Sequence, residues 1–296
     1  MLPLLMSVTL SAALDARAVQ ETETSLGTVS WLDARDRGDP EATVVVFLHG
    51  LPTSKELWLD VLDAMPEQPA IAVDLLDFGE SRARDPAALD HTARALAVEE
   101  LCASLGLEQI ILVAHDLGSS VAIDYMEAHG DRVERLALLS SPVYPDFEEP
   151  DVVSLVRKRW IGMPLLRLAG PAIYRSTLKR GLHNPERYTD REHDLFHRDY
   201  SGGVGKRRMW QNLWWGTPDE MFAGYPAVMR DISVPTLVLH GAQDPFIPTA
   251  HAHRMDRDIP DSELIIIEGA GHFIPLDVPD AVAGALSDFL SAEDDG

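Results

Sequence analysis

The sequence predicts an α/β fold: a mostly parallel, eight-stranded sheet flanked by helices, with a helical segment inserted between two strands. Three observations carry this. Apolar β-rich runs alternate with helical patterns along most of the chain, which is the signature of strand–helix–strand units. The middle runs, such as "VVVFLHG" and "QIILVAHD", are almost continuously apolar, as strands covered on both faces must be. Between about 143 and 228 strand signals stop, and four of the six Trp and five of the six Tyr fall there. The expected organisation is therefore a first core segment at 1–142, a helical cap at 143–228, and a second core segment at 229–296. A cap so placed would lie over the strand ends, where open α/β sheets bind ligands.

The elements follow in order. "TVSWLDA" and "ATVVVFLHG" read as strands. "PAIAVDLLDFGES" is a strand running into an acidic, Gly-containing loop. Pro86 to Leu105 is helical by periodicity. "QIILVAHD" is a strand, "GSSVAIDYMEAHG" a helix closed by Gly, and "VERLALLSS" the next strand. After the cap, "VPTLVLHGAQDP" and "SELIIIEGAGH" are strands. "PDAVAGALSDFL" is a final helix with Pro and Asp at its start.

Composition narrows the function classes. The chain has 296 residues and a net charge of −23, from 48 acidic and 25 basic side chains. That excess of acid argues against nucleic acid, whose phosphates need basic patches, and against docking on an anionic membrane. The acids are dispersed, as on a solvated surface, apart from the tail "SAEDDG". The one cysteine, Cys102, permits no internal disulfide and lies on an apolar helical pattern, so a core thiol is expected. At the N-terminus "LPLLMSVTLSAAL" resembles the apolar core of a signal peptide, but no Lys or Arg precedes it and it is too short to span a bilayer. The expectation is a cytoplasmic protein, with secretion as the alternative.

The chemistry centres on "VAHDLGSS". Asp116 ends an apolar strand, a helix starts directly after it, and Ala114 and Gly118 flank it at minus two and plus two. A tight strand–turn–helix needs small residues there, because the backbone of the turn is strained and crowds the helix. The Leu117 N–H then points with the helix N-terminus towards developing negative charge. The plain alternative is an aspartate that only caps the helix. Three further motifs weigh against that. "FLHGLP" ends a strand and offers the Leu51 N–H as a second oxyanion donor. "GAQDP" places Asp244, and "GAGHF" places His272, on loops after strands. The chain order Asp116, Asp244, His272 is nucleophile, acid, histidine.

From about Thr24 to Leu290 the chain resembles the α/β-hydrolase superfamily, in the branch with an aspartate nucleophile. That branch holds epoxide hydrolases, haloalkane dehalogenases and haloacetate dehalogenases. The matching motifs are "HGLPTS" (49–54), "DLLDFGES" (74–81), "AHDLGSS" (114–120), "GAQDP" (241–245) and "GAGHF" (269–273). The resemblance implies attack by Asp116 at an sp³ carbon to give an alkyl ester, and then hydrolysis of that ester by water activated by His272, which Asp244 orients. The amides of Leu51 and Leu117 would hold the oxyanion. The expected partners are a small, largely apolar substrate and water, with no cofactor and no metal; a homodimer is compatible with the sequence.

The sequence departs from each subfamily at the leaving group. Haloalkane dehalogenases usually carry Trp after the nucleophile and Asn or Glu after "HG"; here both places hold Leu (Leu117, Leu51). Haloacetate dehalogenases usually carry Arg after the nucleophile. Epoxide hydrolases usually use two cap Tyr hydroxyls; Tyr174 or Tyr188 can supply one, while the second place holds "MWQNLWWG". Epoxide opening is therefore placed ahead of dehalogenation. A silent, ligand-sensing member and a serine esterase using Ser119 are the other readings. Trp210, Trp214 and Trp215 either line an apolar substrate pocket, donate indole N–H groups to a leaving anion, or pack the cap. His193 and His197, four apart in "HDLFH", have spacing that suits a metal but lack the context of one. His115 and His240 are expected to orient neighbours or fill the core, and Asp77 and Glu80 to shape their loop.

Overall fold

The computed structural model describes residues 19–213 and 216–292. The signal-like segment, most of the acidic tail, and Trp214 and Trp215 lie outside the described residues. The elements are β1 (Val19–Thr24), β2 (Gly27–Ala34), β3 (Val44–Leu48), α1 (Leu59–Ala64), β4 (Ala70–Val73), β5 (Arg82–Ala83), α2 (His91–Ser104), β6 (Ile110–His115), α3 (Leu117–His129) and β7 (Val133–Leu139). A helical insertion follows: α4 (Asp151–Arg157), α5 (Arg159–Gly181), α6 (Asp190–His197), α7 (Gly202–Asn212), α8 (Pro218–Met221) and α9 (Tyr225–Asp231). The chain then returns through β8 (Thr236–Gly241), α10 (Thr249–Asp258), β9 (Ser262–Ile267), α11 (Ile274–Asp277) and α12 (Pro279–Ser291).

The sheet has nine strands, not eight, in the order β1-β2-β4-β3-β6-β7-β8-β9, with the two-residue β5 paired to β2. From β4 to β9 every neighbouring pair is parallel; β1, β2 and β5 pair antiparallel at one side. Two of the nine have no readable pattern: β1 is the polar run "VQETET", mostly exposed, and β5 is only two residues long. The central strands carry the core. Val45–Leu48, Ile110–His115 and Thr236–Gly241 are buried throughout. The predicted helix from Pro86 begins in earnest only at His91, because the Asp90 side chain accepts the Ala93 N–H at 2.7 Å and caps α2. The helices of the insertion run from Asp151 to Asp231.

Topology places the site. β3 is flanked by β4 on one side and β6 on the other, so the connections leaving β3 and β6 diverge. This switch point opens a crevice at the strand C-termini, where ligands bind in such sheets. Leu51 follows β3 and Asp116 follows β6, one on each side of the crevice.

Two sets of polar contacts fasten the insertion over it. Asn212, at the end of α7, donates to the Asp77 carbonyl at 2.8 Å and accepts from the Arg94 guanidinium at 3.2 Å. Nearby, the fully buried Lys55 ammonium lies 2.7 Å from Asp74, 2.9 Å from Glu80 and 3.4 Å from Glu56. Arg198, just after α6, reaches the same Glu56 at 2.5 Å. Burial opposes the charge on Lys55, but its surrounding carboxylates outweigh that and raise its pKa.

Candidate active site

Asp116 sits between β6 and α3 with φ 52° and ψ −120°, a conformation that L residues rarely adopt. The turn is held by backbone bonds on both sides: Asp116 N–H to the Leu139 carbonyl and Ser119 N–H to the Asp116 carbonyl, each 3.0 Å. Its side chain does not cap the helix. It projects towards the crevice instead. Two glycines make room for this. A Cβ on Gly50 would stand 2.4 Å from the Asp116 side chain, and one on Gly118 would stand 2.7 Å from the carbonyls of Leu48 and His49.

The carboxylate is gripped from three directions. The Leu51 N–H donates to Oδ1 at 2.8 Å. The Leu117 amide faces the same carboxylate. His272 Nε2 lies 3.4 Å from Oδ2. On its far side the imidazole donates from Nδ1 to Asp244 Oδ2 at 2.9 Å. Asp244 is itself fixed, its Oδ1 accepting the amides of Phe246 and Ile247 at 2.8 and 2.9 Å. Thus the structure brings together the three predicted side chains and both predicted amides.

Electrostatics follow from that packing. Burial alone would neutralise His272, but the carboxylates of Asp244 and Asp116 on either side overcome it and raise its pKa to about 10. Burial would likewise push Asp116 up, yet the hydrogen bond and charge of His272 hold it below the usual carboxylate value. Asp244 is lowered for the same reason. The neighbouring histidines are neutral supports. Burial lowers His115 and His49 to about 4. His115 Nε2 donates to the His272 carbonyl at 2.9 Å. His49 Nε2 accepts the Leu75 amide at 3.2 Å, leaving its Nδ1–H for the Gly50 carbonyl at 3.0 Å. His240 Nε2 bonds the Ile247 carbonyl at 2.9 Å.

Asp116 and His272 open into a cavity of about 150 Å³. Its wall is largely apolar and comes from both core and insertion, including Leu117, Val156, Leu166, Met209, Leu213 and Phe222. Tyr174 is part of it, fully buried, with its hydroxyl donating to the Pro52 carbonyl. Tyr188 is not; its hydroxyl is paired with His193 Nδ1 at 2.9 Å. Trp210 is half-buried against the core and does not line the cavity, although its neighbour Met209 does. His193 and His197 stack with their ring centres 4.9 Å apart. Among the described residues no group of three or more potential metal ligands exists. Ser119 is fully buried, bonded to the Ala114 carbonyl at 3.2 Å and to Ser141 at 2.6 Å, and takes no part in the cavity.

Sequence reasoning missed one polar feature of the wall. Glu149 and Arg157 both line the cavity and pair at 2.5 Å. Arg157 also donates to the Leu213 carbonyl at 2.6 Å. Burial raises the Glu149 carboxyl despite this partner. The only sequence signal was an acid and a base eight residues apart across a proline, which is too common to single out.

A family model described as "Alpha/beta hydrolase family" matches residues 45–285. The chain belongs to the alpha/beta hydrolase family. This hydrolase is 26% identical over 275 residues to Epoxide hydrolase 3 of Xenopus tropicalis, an alignment covering 86% of this chain and 73% of the relative. It is 25% identical over 306 positions to Epoxide hydrolase A of Mycobacterium tuberculosis, covering 86% and 92%. Among solved structures, a haloalkane dehalogenase DbeA-M1 loop variant from Bradyrhizobium elkanii matches the hydrolase with a TM-score of 0.76 at 17% identity, over 93% of this chain and 96% of that one. A thermophilic esterase from Thermogutta terrifontis matches with a TM-score of 0.74 at 23% identity, over 92% and 98%. These two structural likenesses bear on the fold. No helix among the described residues is long and apolar enough to cross a membrane.

Proposed function

We propose that this hydrolase uses Asp116 as a nucleophile on small, largely apolar electrophiles, and that it opens epoxides to diols. The observation that carries the reading is the disposition of one carboxylate. Asp116 stands ionised at the strand–helix turn, backed by the Leu51 amide at 2.8 Å and 3.4 Å from an imidazole that Asp244 orients. A carboxylate attacks an sp³ carbon without a base, because it is already deprotonated at neutral pH.

In the first step a carboxylate oxygen of Asp116 forms a bond to an epoxide carbon as the C–O bond breaks. The Tyr174 hydroxyl, in the cavity wall, gives the departing alkoxide its proton. The resulting ester carries no charge on Asp116, so His272 loses one of the two carboxylates that held its proton. The imidazolium gives up that proton, which restores the Tyr174 hydroxyl by way of water; the neutral imidazole then takes a proton from the attacking water, and the hydroxide adds to the ester carbonyl. The amides of Leu51 and Leu117 stabilise that oxyanion. Collapse releases the diol and restores the carboxylate.

The cavity supports the substrate class. At about 150 Å³ it has the size that accepts a benzene-like molecule. The names of two relatives point the same way. Halide expulsion is less well served, since Leu51 and Leu117 stand where halide donors are expected and no described Trp lines the cavity.

The test is His272→Gln incubated with small aryl epoxides and, separately, haloalkanes. The expected result is a covalent adduct on the Asp116 peptide by mass spectrometry, with epoxides only. Undiminished turnover by Asp116→Ala would overturn the mechanism, and adducts or free halide from haloalkanes alone would move the protein to the dehalogenases.

A further inference from the structure

The helix that walls the cavity carries a second, outward surface. In α5, Gly162, Leu166, Gly170, Tyr174 and Leu178 form a buried row four residues apart. Trp160, Pro164, Leu168 and Ala172 form a second row with the same spacing, and all four are exposed. The rows are offset by two residues, about 200° around a helix, so they face opposite ways. Trp160 and Leu168 are each 88% exposed. On α7, which is tied to α5 by Lys206 Nζ donating to the Arg167 carbonyl at 3.1 Å, Val204 is 73% exposed. A contiguous row of exposed apolar side chains, as opposed to single ones, marks an interaction site.

The charge of this region is opposite to that of the molecule. Residues 152–185 contain seven Lys or Arg and no Asp or Glu, and residues 200–217 contain three and none, in a chain of net charge −23. Some of these bases serve inside the fold: Arg157 pairs with Glu149 and Arg175 with Asp190. Arg167 and Arg207 are exposed on the helices that carry the apolar row and Val204, and Lys158 is exposed in the one-residue link before α5.

We infer that this face docks on an anionic lipid surface, with α5 lying in the plane of the interface. A narrow apolar row flanked by bases and containing Trp matches what a bilayer boundary accepts: the ring and Leu enter the acyl edge, and the basic heads stay among phosphates. A second copy is a poorer occupant, because symmetric pairing would set two acid-free basic stretches against each other. The whole-chain charge, which disfavours such a surface, misleads here because the acids lie elsewhere. Docking is independent of the reaction chemistry. It would place the cavity wall of α5 directly behind the lipid contact, on the path of an apolar substrate leaving the membrane.

The test uses the full chain with vesicles of pure phosphatidylcholine and of equimolar phosphatidylcholine and phosphatidylglycerol, read by co-sedimentation and by Trp fluorescence. Binding is expected only to the anionic vesicles and to weaken with salt. The pair Arg167→Glu, Arg207→Glu should lower partitioning by at least about tenfold, given roughly fivefold for each base near such a surface. The pair Trp160→Ser, Leu168→Ser should abolish it, with Tm and turnover of a water-soluble substrate unchanged. Three results would overturn the assignment. One is that the variants bind as the unaltered chain does; another is that removal of residues 1–18 alone abolishes binding. Otherwise, a concentration-dependent dimer that the Trp160→Ser, Leu168→Ser pair dissolves would show that the face serves a second copy.

Discussion

At the scale of single residues, the site is two carboxylates sharing one imidazole, and its pH behaviour follows. The folded pKa of His272, about 10, lies above its ordinary value of 6.5. A raised pKa contributes stability that is complete below 6.5 and disappears as the pH rises through 10. The expected outcome is that His272→Gln loses most relative stability at neutral and acid pH, and that the gap in Tm between the two proteins closes towards pH 10. In the proposed turnover the sign differs. Ester hydrolysis needs neutral His272, so at about pH 5 the covalent intermediate should accumulate, and at about pH 8 it should not, because an imidazole relieved of one carboxylate returns towards its ordinary range. Rapid-quench mass spectrometry of the Asp116 peptide checks this. Gly50→Ala tests the grip on Asp116. Its Cβ would meet that side chain at 2.4 Å, so the carboxylate must move off the Leu51 amide. We expect kcat/KM to fall about a hundredfold, on the scale of losing an oxyanion donor, with a smaller change in Tm.

At the scale of elements, legibility followed burial. β3, β6 and β8 are buried on both faces, so their apolar runs announce them. Asp116 and Asp244 were readable for the same reason, since each follows such a strand; His272 follows β9, which is only half-buried but keeps the apolar run "LIII". The edge strand β1 has solvent on its sides and no period to read. α10 was missed because its sequence "TAHAHRMDRD" is polar with only Ala252 and Met255 buried. Aromatic content marked the insertion but could not say which ring faces the cavity. Tyr174 does and Tyr188 does not, a difference set by how α5 and α6 pack. The joint between insertion and core rests on Asn212, whose amide serves both Asp77 and Arg94. Asn212→Ala strips the buried Arg94 of an acceptor and is expected to cost about 1–3 kcal/mol. Urea denaturation measures this, and limited proteolysis should show faster cleavage within 151–231.

At the scale of the whole molecule, the core and insertion are held by a buried cation. Lys55 is enclosed by Asp74, Glu56 and Glu80, and Arg198 of the insertion completes the set. Lys55→Met removes the cation from three clustered carboxylates, of which Asp74 is fully buried, and is expected to cost about 3–5 kcal/mol. With the Lys55 charge gone Arg198 becomes the remaining cation on Glu56 and Glu80, so the effect of this variant on stability and that of Arg198→Ala should be non-additive in a double-mutant cycle.

The C-terminal end of α5 is bound to the loop that carries the imidazole: His272 N–H donates to the Gly181 carbonyl at 2.6 Å, and the amides of His183 and Asn184 donate to Asp277 at 2.6 and 3.0 Å. Swinging that end outward would drag His272 away from Asp244. The insertion is therefore expected to open away from its His272 side, with product leaving past a freer edge at 151–157. Hydrogen exchange should find the amides of 182–184 and 271–272 slow and those of α4 fast, and a crosslink across the free edge should slow product release while leaving ester formation intact.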